Sequence, residues 1–252
     1  MMNISFENID IIGNVINENE LYKHYHYPEM LSRYSSNFIE FKIMPTLNEL
    51  LEAEQFMRDF HLKNGQYHVE FVFPQDKEIA VELIEHLNNQ DYSIEKNELY
   101  VINPSEFPEV KVDKDICVEK VDSVRLMEYL RIQYELDLQY GENFANEKQD
   151  LMKRNYNNEN VIQIIAYYKD MPAGAVDVIL TEEFAEIDNL FVLESLQRKG
   201  IGSILQKFVM DTYKDRKVIL VADGDDTPRE MYQRQNYQYL GFQYEVLKVY
   251  NE

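Results

Sequence analysis

The segment Gln197-Arg198-Lys199-Gly200-Ile201-Gly202-Ser203 constrains this chain more than any other. Only eight glycines occur in 252 residues, and two of them stand one residue apart here. They separate an apolar run, Ile187 to Val192, from a periodic segment, Ile201 to Tyr213. A strand that turns through glycines directly into a helix leaves the first helical N–H groups without intrahelical partners, and the helix dipole adds partial positive charge at the same point. Such a corner is a cradle for an anion. Gly200 and Gly202 would let the backbone approach a phosphate with no Cβ in the way. The same string also serves as an ordinary strand-to-helix turn, so its surroundings decide between the two.

Two common phosphate loops do not fit. A Walker loop needs Gly-Lys-Ser/Thr after four spacer residues, and none is present. A dinucleotide fingerprint needs a third glycine, where Leu205 stands. The string Gln-x-x-Gly-x-Gly instead resembles the pyrophosphate loop of the Gcn5-related N-acetyltransferases (GNAT). In that family Arg/Gln-x-x-Gly-x-Gly/Ala follows a strand of the form Leu-x-Val, supplied here by Leu190-Phe191-Val192. The family often carries a proline two residues after that valine, and this chain has Glu194 there.

The surrounding pattern agrees with the resemblance. Val161 to Tyr168 reads as a buried strand, Lys169-Asp170-Met171-Pro172 as a turn, and Gly174 to Leu180 as the hairpin partner. Ala185 to Val192 is a third strand. A helix over 200–214 carries Ile201, Ile204, Leu205, Phe208 and Val209 at the spacing of a face packed on a sheet. Lys217 to Asp223 is another strand. Thr227-Pro228-Arg229-Glu230 has the form of a capping box with proline at the first helical position. The helix it opens carries Met231 and Tyr232 and would end at Asn236 in a left-handed conformation. Tyr237 to Tyr250 reads as closing strand. Upstream, Val118–Val121 is a short strand, Asp122 caps a helix from Ser123 to about Tyr140, and Glu147 to Tyr156 is a second helix. Strand, two helices, three strands, helix, strand, short helix, strand is the order of the acetyltransferase fold over about residues 115–252. The fold class expected is therefore α/β (α+β): a mixed central sheet flanked by helices, with a smaller N-terminal α/β domain. The family closes its last helix with Leu-Tyr-x-x-x-Gly-Phe, and Met231-Tyr232-Gln-Arg-Gln-Asn236-Tyr237 resembles it, with Asn in place of Gly. A rival register runs from Tyr237 to Gly241-Phe242; the capping box favours the first.

Composition narrows the partners. A net charge of −21 opposes nucleic acid, whose binding rests on Lys and Arg neutralising phosphates, and opposes anionic membranes. It favours solubility, and it would draw in a cationic amine. The Met-Met-Asn-Ile-Ser-Phe-Glu start is unlike a signal peptide and no apolar run approaches 18 residues, so a cytoplasmic protein is expected. The single Cys117 excludes an internal disulfide and a CxxC metal site, and Ile116-Cys117-Val118 reads as buried strand packing. All five histidines, His24, His26, His61, His68 and His86, precede residue 87, so the C-terminal half holds no Ser-His-Asp triad and no His-ligated metal. The histidines read as surface or packing residues, and no metal is expected.

The resemblance implies chemistry as well as fold: transfer of an acetyl group from acetyl-CoA, the cosubstrate, to a primary amine of a small molecule or peptide. Backbone N–H groups of Arg198, Lys199, Gly200, Ile201, Gly202 and Ser203, with Gln197 opening the loop, would clamp the diphosphate. The Phe191 and Val192 backbone would contact the acetyl and pantetheine groups. Tyr232 would protonate the leaving thiolate. A carboxylate on this strand often serves the family as base, and Glu186 and Asp188, two apart, point to one face of it. Tyr134, Glu135, Asp137 and Tyr140 are candidates for the acceptor wall. The alternative from another class is a non-catalytic acyl-CoA-binding module acting as a sensor or scaffold.

In the N-terminal half, Asn37 to Met44 and His68 to Phe73 read as strands, Leu47 to Leu62 as a helix, Asp76 to Asn88 as a helix capped by Asp76, and Tyr92 to Ile102 as a strand or hairpin. Strand, helix, strand without a glycine loop resembles a degenerate second GNAT-like domain, one that would shape the acceptor cleft or a homodimer surface. Asn103-Pro-Ser-Glu-Phe-Pro-Glu109 reads as linker, giving domains of 1–108 and 109–252.

Overall fold

The computed structural model describes residues 4–111, 113–224 and 228–250. Its regular elements are β1 (Asn14–Glu18), β2 (Tyr22–His26), β3 (Ile39–Phe41), α1 (Leu47–Lys63), β4 (His68–Val72), α2 (Val81–Asn89), β5 (Ser93–Ile102), β6 (Ile116–Lys120), α3 (Leu126–Asp137), α4 (Glu142–Tyr156), β7 (Val161–Tyr168), β8 (Met171–Leu180), β9 (Phe184–Val192), α5 (Ile201–Thr212), β10 (Lys217–Asp223), α6 (Pro228–Arg234) and β11 (Gln238–Val249). They form two compact units: Met1–Leu99 with Ala222–Arg229 and Leu240–Glu252, and Tyr100–Val221 with Glu230–Tyr239. No helix among the described residues is long and apolar enough to cross a membrane.

In the first unit the strands run in the order β1-β2-β3-β4-β11. All neighbours are antiparallel except β3 and β4, which are parallel. Phe41, Leu50, Met57, Phe71, Phe73 and Leu83 fill its core. Helix α1 starts on a full capping box: Thr46 accepts from the Glu49 N–H, and the Glu49 carboxylate reaches back to the Thr46 N–H at 2.7 Å. Asp76 does not cap α2, contrary to the sequence reading. It lies at φ 55°, five residues before the helix, and its Oδ1 accepts from the Phe242 N–H. Aspartate suits tight turns as well as helix starts, and here the turn wins. Beyond Gln238 the last strand pairs antiparallel with β4, Val246 opposite Phe71. Strand pairing of this range has no local sequence signal.

Four of the five histidines, expected at the surface or in packing, meet in this unit. His24, His61 and His68 are at most 1% exposed and His26 is 9%. Phe60 lies edge-on to His24 and His26, and His61 lies tilted against His68 with ring centroids 4.3 Å apart. His61 Nδ1 donates to the His68 carbonyl and His68 Nε2 to the Asn37 carbonyl, while both ring nitrogens of His24 are buried without a partner. Burial pushes His24 and His61 down to about 4 and His68 to about 3; mutual repulsion among the imidazoles adds to this, and the carbonyl acceptors oppose it. Because the folded values lie below the unfolded one, the neutral cluster contributes its full stability above about pH 6.5 and loses it as pH falls towards 4, roughly 3 kcal/mol for a single histidine. Denaturant titrations at pH 7.5 and 4.5 should therefore show a pH-dependent loss that His24→Phe, which matches its aromatic surroundings, reduces. An unchanged pH dependence in that variant would refute the account.

The second unit carries β10-β9-β8-β7-β6 in that order. The β10–β9 pair is parallel and the rest are antiparallel, so the sheet is mixed. The β7–β8 hairpin turns on Lys169 and Asp170, both left-handed at φ 50° and 62°, the two-residue loop that suits the strand twist. Tyr129, Leu130 and Ile132 of α3 and Met152 of α4 pack on the face bearing Ile165, Tyr167 and Ala175. Side chains alternate across a strand, so Ile164, Val176 and Val178 lie on the other face, and α5 packs against β6 to β9 with Ile201, Leu205 and Val209 buried. Asp122 caps the turn that leads into α3, accepting from the N–H groups of Val124 and Arg125. Cys117 is exposed, not buried as its apolar neighbours suggest. It sits on an edge strand, opposite Tyr167 alone, and an edge strand is covered less than a central one.

Candidate active site

The corner after β9 is built as the glycine spacing requires. Gly200 is left-handed at φ 84° and forms the N-cap of α5, with no side chain capping it and no acidic residue in the first turn. The first helical bond returns from Ile204 to the Gly200 carbonyl at 3.0 Å. The N–H groups of Ile201, Gly202 and Ser203 therefore have no intrahelical acceptor and point out of the helix start. Arg198 is also left-handed at φ 62°, and alternating handedness of this kind is the backbone pattern of anion-binding concavities. Gln197 Nε2 donates to the Val192 carbonyl at 3.4 Å, tying the loop to the strand end, and a Cβ on Gly202 would touch only Val192 Cγ2 at 3.6 Å. A cleft of about 840 Å³ opens beside this corner, lined by Gly200 and Ser203, by Lys111, Lys114 and Lys199, and by the carboxylates Glu109 and Asp113. Lysines outnumber acids around this cleft, against the balance of a chain whose net charge is −21.

Two further features open the sheet at this point. Strands β9 and β10 pair from Phe184–Lys217 to Ile187–Leu220, and past Ile187 that ladder stops. Strand β9 then carries a bulge: Asp188 faces Asp177 and Phe191 faces Ala175, so β9 spends three residues where β8 spends two. Asn189, left-handed at φ 49°, is the residue that turns. Phe191 and Val192 beyond the bulge are half-buried. Gly174 makes this approach feasible, because a Cβ there would overlap the Phe191 carbonyl oxygen and lie 3.1 Å from Val192 Cα. Gly174→Ala is expected to cost about 1–3 kcal/mol as an overpacked contact. Denaturant melts would measure it, and a variant as stable as the parent would show that the approach is loose.

The four candidates for an acceptor wall differ in exposure. Asp137 is fully buried and bonded to Lys148 of α4 at 3.0 Å, Tyr134 is half-buried, and Glu135 and Tyr140 are exposed. Glu186 is buried and Asp188 half-buried on one face of β9. The residue that sequence reasoning missed is Asp177 on β8. It is buried, accepts from the Tyr129 hydroxyl at 2.6 Å, and lies directly opposite Asp188. The signal available was an acid in the middle of the apolar run from Gly174 to Leu180.

Tyr232 lies on α6, whose start at Thr227 falls outside the described residues, so the capping box there has no structural counterpart to weigh. The helix end is described. Asn236 is left-handed at φ 67°, as its place in the sequence suggests. The N–H of Tyr237 bonds the Tyr232 carbonyl and that of Asn236 bonds the Gln233 carbonyl, the paired closure of a Schellman motif. The Tyr232 and Tyr237 rings sit 5.3 Å apart over that closure, and Tyr100 flanks Tyr232 at the same spacing. The Tyr237 hydroxyl is taken by Gln206 at 2.9 Å. Burial pushes the Tyr232 phenol up to about 12. One turn on, Gln235 joins the lining of the cleft that holds Gly200 and Ser203. Among the described residues no group of histidine, cysteine and carboxylate side chains is placed to hold a metal ion.

Comparison with known proteins adds to this geometry. Residues 126–237 match the model of the acetyltransferase (GNAT) family, and residues 4–100 match a domain of unknown function, DUF5613. A functionally unknown conserved protein from Staphylococcus epidermidis is 36% identical, with a TM-score of 0.90 and 98% of each chain covered. A GCN5-related N-acetyltransferase from Kribbella flavida superposes with a TM-score of 0.61 at 12% identity, over 95% of this chain and 90% of its own. One from Sphaerobacter thermophilus gives 0.61 at 13%, over 97% and 83%. At those identities the likeness is one of fold. No protein with a curated description matches the chain.

Proposed function

We propose that this chain, whose residues 126–237 match the acetyltransferase (GNAT) family, transfers an acetyl group from acetyl-CoA to a primary amine of a small molecule or peptide. The observation that carries this reading is the helix start at Gly200: unpaired amides of α5 and two glycines without Cβ atoms, beside a cleft where three lysines stand with Glu109 and Asp113. A diphosphate fits such a corner through backbone N–H bonds and the helix dipole. Coenzyme A carries that diphosphate and supplies the thioester. Lys111, Lys114 and Lys199 outnumber Glu109 and Asp113 around the cleft, and screening limits the rest of the net charge of −21 to about 8–10 Å.

In this reading Gln197, Arg198, Lys199, Gly200, Ile201, Gly202 and Ser203 form the clamp. The parting of β9 from β10 and the bulge at Asn189 leave the Phe191 and Val192 backbone to hold the pantetheine arm and orient the acetyl group. Asp188 or Glu186 takes a proton from the incoming ammonium, and the free amine attacks the carbonyl. Tyr232 gives its proton to the departing thiolate. A phenol at about 12 stays protonated across the physiological range, which suits a donor and excludes a base. The acidic face of β9 favours a cationic acceptor. The setting is cytoplasmic, and residues 4–100 serve as a second, GNAT-like domain without a phosphate loop.

Calorimetry with coenzyme A, beside thiol release from acetyl-CoA over a panel of primary amines, tests the proposal. Binding with turnover supports it. Binding without turnover on any amine would make the chain an acyl-CoA-binding module, and no binding would remove both.

A further inference from the structure

Across the second unit's sheet, three polar side chains stand in a row where the pattern of the strands is apolar. Gln163 of β7 is opposite Asp177 of β8, and Asp177 is opposite Asp188 of β9. Directly opposed residues of antiparallel strands project from the same face, with Cβ atoms about 4.5–5.5 Å apart. The neighbours of Asp177 along β8, Val176 and Val178, are fully buried, and Asp177 is itself 3% exposed. A carboxyl buried this deeply is costly unless something holds it.

Helix α3 holds it. Tyr129, Gln133 and Asp137 stand at i, i+4 and i+8 on the buried face of that helix. The Tyr129 hydroxyl donates to Asp177 at 2.6 Å, and Gln133 Nε2 donates to the same hydroxyl oxygen at 3.2 Å, while Gln133 Oε1 is buried without a partner. Tyr129 also lies within the electrostatic reach of Asp188. The groups facing Asp177 are thus Tyr129 from α3, Lys148 from α4, Gln163 from β7, and Asp188 and Asn189 from β9. The half-buried Asp188 stands at the start of the bulge whose far side is Phe191 and Val192.

We propose that Asp177, held by Tyr129 across the strand pair from Asp188, is the positioning residue of a two-carboxylate proton acceptor for the amine's ammonium group. The inference rests on the acetyl-transfer reading above and names which carboxylate of β9 acts in it. One N–H bond of the ammonium breaks and an O–H bond forms on Asp188, with the pair sharing the proton. The free amine forms the new C–N bond, the C–S bond of the thioester breaks, and the thiolate takes the Tyr232 proton. The second N–H proton, lost as the amide forms, restores Tyr232, and the carboxylate pair releases its proton to water. A negative charge on Asp188, across the strand pair, disfavours ionisation of Asp177. Burial pushes Asp177 up to about 7, with the Tyr129 bond opposing, the Asp188 charge adding, and Lys148 and Asn189 opposing.

The test uses the full chain labelled with ¹³Cγ-aspartate, alone and in turnover. A carboxyl signal should titrate near pH 7 and vanish in Asp177→Asn. Its midpoint should fall by about one unit in Asp188→Asn and rise by about one in Tyr129→Phe. With acetyl-CoA and spermidine or n-butylamine, Asp177→Asn should lower kcat about tenfold and move the acidic limb of kcat/KM, and Tyr129→Phe should move that limb with the fold intact. A signal titrating below pH 5, a midpoint indifferent to Asp188→Asn, or pH profiles that superimpose on the parent after scaling would overturn the proposal. Should the parent acetylate no amine while the titrations come out as expected, the transferase reading fails and the proton-accepting role with it, leaving a structural carboxylate pair.

Discussion

Gly202→Glu is expected to abolish coenzyme A binding while leaving the fold as stable as before or slightly more so. The two effects have opposite signs for one reason. Position 202 is the second residue of α5, and the positive end of the helix dipole favours a carboxylate there by about 0.3–1 kcal/mol. A Cβ at this place meets only Val192 Cγ2 at 3.6 Å, ordinary van der Waals contact, so the backbone has no cause to shift. The same carboxylate would occupy the space of the diphosphate and repel it. At about 4 Å and a surface-like dielectric, that repulsion is worth about 4 kcal/mol, a loss of roughly 10²–10³-fold. Gly202→Ala is the control. It adds the Cβ without the charge and should bind within about tenfold of the parent. Calorimetry of both variants with coenzyme A, beside their melting curves, decides the matter. If Gly202→Glu binds as the parent does, the corner after Val192 is not the clamp.

Much of the second unit was legible in sequence because its signals are local. Strands β7 and β10 fall where their Val- and Ile-rich runs place them, and Asn236 adopts the left-handed conformation that an amide side chain tolerates. The glycine corner is legible for the same reason, since backbone conformation there depends on two residues. What escaped depends on neighbours remote in sequence. Asp177 is buried because α3, β7 and β9 converge on it, and nothing within β8 announces that convergence. Cys117 was read as buried because Ile116 and Val118 flank it, yet whether a strand is central or at an edge is decided by the order of the sheet. Strands β1 and β2 escaped because β1 is exposed throughout and β2 buries histidines, so neither alternates in the usual way. The bulge at Asn189 escaped too, since its extra residue is defined only by the register against β8.

Tyr232→Phe is expected to lower kcat about 10²–10⁴-fold with little change in KM or stability. The substitution keeps the ring, and with it the contacts to Tyr100 and Tyr237 that close the end of α6, so the Schellman closure at Asn236 stands. It removes only the hydroxyl proton. That proton is held firmly, for burial pushes the phenol to about 12, and the parent should therefore show no loss of donor up to about pH 10. A basic limb in the pH profile below that would have to come from another group. The neighbouring Tyr237 separates catalysis from packing: its hydroxyl is bonded to Gln206 at 2.9 Å, so Tyr237→Phe should lower stability by about 1 kcal/mol and leave kcat near that of the parent. Thiol release with one good amine, measured for both variants, separates the rival registers of the closing motif. Turnover of Tyr232→Phe within a factor of two of the parent would show that this tyrosine is not the acid, and a large loss in Tyr237→Phe instead would move the donor to that residue.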